Sequence, residues 1–191
     1  TYAQHNGVWG DVPGAIETHA AKNITITNSE LRNLGIGGIR IGNGSSDCAI
    51  TNSAIHDISS SGIFIGNNTG HNHGYCDPGT DVTGVVVRNN YITRTGLDIF
   101  GSSAICALYT SDTVIDHNEV CYTTYTGISL GWGWDWKNAP CSGNNTVSNN
   151  YIHDTGKTIH DGGSFYSLGL QEGTKVFGNY LHHHSDGLYD K

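Results

Sequence analysis

The 191 residues carry a formal net charge of −8 and are 36% hydrophobic but only 14% charged, with 27 Gly against 3 Pro. This balance excludes a helical bundle and a charged disordered tail, and nine scattered Lys and Arg with no basic stripe exclude a nucleic-acid partner. No apolar run reaches the about 18 residues that span a bilayer, so no membrane partner is expected either.

The first repeating unit is 24–31, in which Ile26 and Leu31 flank an Asn28-Ser29 corner. Its frame returns at 48–55 with Ile50 and Ile55, at 85–92 with Val87 and Ile92, and at 113–120 with Ile115 and Val120. It recurs again at 145–152 with Val147 and Ile152, and at 174–181 with Val176 and Leu181. Alternation inside each unit predicts short strands, and repetition about every 24 to 37 residues predicts a solenoid. A second strand follows at 38–42, 62–66 and 127–131, each bounded by glycines. Several strands per unit, joined by tight bends and stacked about 4.8 Å apart, make the chain all-β. It is predicted to be a right-handed parallel β-helix of about six coils, a single domain over 1–191 that forms part of a longer β-helix. A left-handed β-helix would need a stricter hexapeptide period and more uniform coils.

Asn90, Asn118, Asn150 and Asn179 share one column, continued by Ser29 and Ser53, and predict an amide ladder. Asn also tolerates the left-handed backbone that such bends need, so the same residues are expected to turn the chain. His56, His153 and His182 form another column, in which rings stack on one another and bond bend carbonyls.

Five cysteines without a C-x-x-C pair point to an oxidising compartment. Cys48 with Cys76 and Cys121 with Cys141 would each tie a long loop to its coil, leaving Cys106 in a strand. Sequons at Asn23, Asn43, Asn67 and Asn144 suit a secreted glycoprotein, although the abundance of Asn, Ser and Thr produces several by chance. The chain opens at Thr1 without a signal peptide, as a mature protein or a fragment would.

Extra residues enter at 67–81, 97–103, 132–143 and 155–162, and insertions of this kind project from one side to frame a binding surface. Within one of them, Trp132, Trp134 and Trp136 sit in a Gly-rich loop that a thin interior has no room for. Their flat faces suit sugar rings and Asp135 can accept sugar hydroxyls, unless the loop folds over its own coil and buries them. Downstream, Asp161 precedes two glycines at a strand entry, followed by Tyr166 and Glu172, and the last coil echoes it with Asp186 and Asp190. Carboxylates on neighbouring coils within about 5 to 9.5 Å are what glycoside hydrolysis requires, and crowding raises the pKa of one of them. An Asx-turn at each bend is the plainer account. His182-His183-His184 alternate in direction and do not converge on one ion, and His71, His73, Cys76 and Asp77 lack a second cysteine pair. No metal and no cofactor are predicted.

The strings 127–134, 150–154 and 161–169, with Gln171, Gly173 and Thr174, resemble the β-helix glycosidases of glycoside hydrolase family 141. That family includes fucosidase and xylanase activities on plant polysaccharides, and the resemblance covers roughly 85–191. It implies a pectate-lyase-like fold and places a catalytic carboxylate at Asp161, in the Asp-Gly-Gly motif. The family's second acid lies in a Tyr-Leu-Asp-Glu-Gly-like motif, whereas this chain reads Leu188-Tyr189-Asp190-Lys191, with Asp190 one place early. The expected function is a secreted, carbohydrate-binding glycoside hydrolase with Asp161 paired to Asp190 or Asp186. The competing expectation is a structural or adhesive module that assembles end to end or continues as a longer β-helix.

Overall fold

The computed structural model describes residues 12–66, 81–132 and 141–185. They wind as a right-handed parallel β-helix whose three faces are six-stranded sheets. Sheet I contains Gly14–Thr18, Gly37–Ile41, Ile63–Gly66, Ile105–Leu108, Ile128–Leu130 and Phe165–Ser167. Sheet II contains Thr25–Thr27, Ala49–Thr51, Val86–Arg88, Val114–Asp116, Thr146–Ser148 and Lys175–Phe177. Sheet III contains Glu30–Leu34, Ala54–Ile58, Tyr91–Thr95, Glu119–Cys121, Tyr151–His153 and Tyr180–His182. Each coil passes from sheet I to II to III before climbing to the next rung.

The expected columns are in register. Ile26, Ile50, Val87, Ile115, Val147 and Val176 are successive Cα partners in sheet II, and Leu31 through Leu181 are so in sheet III. All but Val176 and Leu181, which are exposed, join Ile39, Ile63, Ile105 and Ile128 of sheet I in one continuous interior, in which most of the side chains are fully buried. Each such Ile or Val contributes about 1.5–3 kcal/mol by leaving water, which is how a slender core suffices.

The corner between sheets II and III has two residues in every coil: 28–29, 52–53, 89–90, 117–118, 149–150 and 178–179. The two have separate duties, which differs from the expectation. The first takes the left-handed conformation: Asn28, Asn52, Asn89, His117, Asn149 and Gly178 all have φ between 51° and 68°. The second points inward and forms the ladder. Asn118 Oδ1 accepts from the backbone N–H and the side-chain amide of Asn90, both at 3.0 Å, and its own amide donates to Val87 O and to Asn150 Oδ1. Asn150 and Asn179 repeat the arrangement one rung on. The remaining corners also turn on left-handed residues, such as Asp47, Asp112 and Asn144 after sheet I and Tyr122 and Asp154 after sheet III, and Asp57 and Arg94 take the same conformation within their sheet III strands.

The cysteine pairing is corrected. Cys48 and Cys121 are free thiols, as is Cys106, while Cys141 is disulfide-bonded to a partner outside the described residues. Cys48 faces the core, where it packs as a small apolar residue, and Cys121 is buried on the outer side of sheet III with its thiol 3.4 Å from Thr93 Oγ1.

Asp116 accepts from Ser148 Oγ at 2.7 Å, His117 Nδ1 at 2.8 Å and Asn149 Nδ2 at 3.0 Å, beside Arg88 Nε at 3.0 Å. Burial alone would raise its pKa, but the hydrogen bonds from Ser148, His117 and Asn149 outweigh it and hold the carboxyl below its ordinary 3.8. A depressed folded pKa contributes stability that is complete above the unfolded value and is lost as pH falls through the folded one. The urea midpoint is therefore expected to drop between about pH 5 and about pH 2, and Asp116→Asn should reduce that drop while lowering the midpoint at neutral pH. A midpoint slope unchanged by the substitution would contradict this.

Candidate functional site

The longer connections leave from both ends of the sheet I strands, not from one side as expected. In chain order 67–81 and 132–143 follow sheet I strands while 97–103 and 155–162 precede them, and among the described residues the latter two form a row of loops along the entry edge of sheet I. The two described entry loops are built alike. Leu97 N and Ile99 N bond Ile58 O and Ser59 O, and Lys157 N and Ile159 N bond Thr123 O and Thr124 O. Ser59 Oγ also donates to Asp98 Oδ2, and Ser60 and Ser102 hydroxyls meet at 2.9 Å.

Alternation in sheet I turns one column onto its outer face: Glu17, Arg40, Phe64, Cys106, Ser129 and Tyr166. Arg40 lies over the Phe64 ring at 5.2 Å. Burial pushes the Cys106 thiol up to about 12, away from the thiolate form.

Asp161 is exposed in the entry loop of the last coil. The next residue fixes that loop against the preceding coil. A Cβ on Gly162, whose φ is +143°, would lie 2.9 Å from Tyr125 Cε2 and 2.6 Å from Thr126 Oγ1, so only glycine permits the approach. Burial, reinforced by the negative charge of Asp161, raises the Tyr125 hydroxyl pKa, with smaller contributions from Tyr166 and Cys106. Tyr125, Asp161 and Tyr166 thus share one region of the sheet I face.

The other sequence-predicted residues disperse. Trp132 is half-buried and packs with Phe64, Leu108 and Tyr109 in a satellite apolar cluster at the opposite rim. Glu172 is exposed beyond the next corner, bridged to Gly143 and lining a hollow with Asp81, Ser111, Ser142 and Asn144. Trp134, Asp135, Trp136, Asp186 and Asp190 lie outside the described residues, as do His71, His73, Cys76 and Asp77.

The family model "Right handed beta helix region" matches residues 14–190. The chain belongs to that family. Among solved structures, this β-helix superposes on a glycoside hydrolase with a TM-score of 0.78 and 26% identity, over 93% of its own length and 32% of the other chain. It therefore spans about a third of that relative. The enzymatically active domain of bacteriophage CBA120 tailspike protein 2 shares the fold, with a TM-score of 0.52 and 10% identity over 87% of this β-helix and 22% of that chain. No curated protein sequence matches significantly. This β-helix is accordingly related to carbohydrate-active enzymes.

Sequence reasoning passed over Tyr125, which stands in Thr124-Tyr125-Thr126 without a motif, two residues before a strand-opening glycine. The available signal was its place in the entry corner of a coil whose successor carries the Asp161 loop. The histidine column is present, with His153 and His182 stacked at 5.2 Å, but the Nδ1 atoms of His56 and His153 face Asp57 and Asp154 carboxylates instead of bend carbonyls.

Proposed function

We propose that this β-helix is a secreted carbohydrate-active module, part of a glycoside hydrolase that cleaves a polysaccharide on the outer face of sheet I. The observation that carries the reading is the 26% identity to a glycoside hydrolase over 93% of this chain. Asp161 supplies one catalytic carboxylate, and Asp190 or Asp186 supplies the second, which must stand roughly 5 to 9.5 Å away across the scissile bond. Tyr125, kept protonated, and Tyr166 donate hydrogen bonds to sugar hydroxyls beside Asp161. Trp132, Trp134 and Trp136 stack on further sugar rings, with Asp135 and Glu172 accepting hydroxyls. The Asp-Gly-Gly motif at 161–163 and its likeness to glycoside hydrolase family 141 favour plant polysaccharides as substrates.

The test is hydrolysis of aryl glycosides and plant polysaccharides by the wild type and Asp161→Asn. The substitution is expected to lower kcat about 10²–10⁴-fold with little change in KM and an unchanged unfolding midpoint. A wild type that neither cleaves nor binds any of these glycans would overturn the reading.

Stacking on a further β-helical element is a second reading, favoured by Val176, Phe177 and Leu181, which are at least 41% exposed on the last described coil. Concentration-dependent mass in solution, abolished by Phe177→Asp, would support it.

A further inference from the structure

The outer face of sheet III carries chemistry that the sheet I site does not use. Glu119 and Cys121 are two apart on one strand and so point to the same side, and His153 is the Cα partner of Cys121 on the next rung. One donor atom from each lies within 4.8 Å of the other two, and His153 Nε2 is 3.4 Å from Glu119 Oε1. Metal bonds of about 2.0–2.3 Å place tetrahedral donors about 3.3–3.8 Å apart, so only small rotations of Glu119 and Cys121 separate this cluster from a coordination shell.

We propose that Glu119, Cys121 and His153 bind a thiophilic divalent cation of the zinc type. Three further observations point the same way. First, His153 Nδ1 is 2.9 Å from Asp154 Oδ2, and Lys157 Nζ donates to the other carboxylate oxygen, Oδ1, at 2.8 Å. A carboxylate on Nδ1 fixes the tautomer that leaves the Nε2 lone pair facing the cluster, as behind most metal-bound histidines. Second, the ring is braced by stacking on Tyr151 at 4.3 Å and on His182 at 5.2 Å, while Tyr151 and His182 bond each other at 2.8 Å. Third, the fold contains a comparison. His56 likewise meets Asp57 at 2.7 Å and Glu30 at 3.0 Å, but Arg94 pairs with Asp57 and Arg32 approaches Glu30, so the chain supplies its own cations there. Among the described residues Glu119 pairs with no Lys or Arg, and a thiol replaces the guanidinium. Thiol, imidazole and carboxylate together select a borderline-soft ion over calcium or magnesium. Glu119 opens the cluster to bulk water, which supplies a fourth ligand.

The experiment is titration of the full chain with Co²⁺, followed by the near-ultraviolet charge-transfer band of a thiolate–cobalt bond, and then displacement with Zn²⁺. One equivalent should produce the band. Cys121→Ser should remove it, and Glu119→Gln and Asp154→Asn should each weaken binding about tenfold or more. His56→Gln should leave it unchanged, and Zn²⁺ should raise the Tm of the wild type but not of Cys121→Ser. Absence of the band while thiol titration shows Cys121 reduced overturns the site, as does a band that persists in Cys121→Ser. If Cys121→Ser fails to fold, the surface variants Glu119→Gln and Asp154→Asn decide, since undiminished affinity in both places the metal elsewhere.

Discussion

Gly66→Ala is expected to destabilise the β-helix by about 4 kcal/mol, a loss large enough to unfold a marginal domain. Gly66 ends a sheet I strand with φ +103° and lies opposite Leu108 on the next rung. An added Cβ would fall 1.6 Å from Leu108 O and 2.8 Å from its carbonyl carbon. Neither is a side-chain end that can swing away, so one strand must leave the ladder or its carbonyl must be displaced. Gly35→Ala is the control: it is exposed, its φ is not positive, and a Cβ there meets nothing within 4 Å. That change should stay within about 0.5 kcal/mol. Urea unfolding of both variants checks the pair, and equal midpoints would refute the argument.

Asn118→Ala should cost a similar amount, about 4 kcal/mol, for a different reason. The amide accepts two hydrogen bonds from Asn90 and donates to Val87 O and Asn150 Oδ1, all within an interior closed to water. Truncation strands several buried groups at once, each costing about 1–3 kcal/mol before relaxation. Asn179→Ala should be milder, near 1 kcal/mol, because Asn179 is only half-buried and solvent can reach what it leaves. Denaturant midpoints falling in the order wild type, Asn179→Ala, Asn118→Ala are the expected result; an Asn118→Ala midpoint at or above that of Asn179→Ala would refute the ladder's role.

The winding was legible because side-chain direction in a strand repeats every two residues, so Ile50, Val87, Ile115 and Val147 announce a shared interior by position alone. The amide column was legible for the same reason. That the residue before each ladder amide, such as Asn89 before Asn90, turns the chain was not, because the two are chemically identical and only backbone torsion separates them. Cysteine chemistry was equally silent: Cys48 is buried as a small apolar group, and nothing in its spacing distinguishes that from a bridge. Of the candidate site, Asp161 and Tyr166 were named from a motif. Tyr125 and the Glu119, Cys121, His153 cluster depend on which rungs lie side by side, and loops of unequal length conceal that from a linear reading.

The invariant two-residue corner between sheets II and III bears on how such molecules diversify. A residue gained or lost there would reverse the facing of every side chain that follows on its rung, emptying the interior and drowning its contents in water. The other two corners tolerate changes in length, and both border the same sheet. Descendants of one ancestral winding can therefore remodel the walls flanking that sheet by insertion and deletion while the spindle beneath them keeps its pitch.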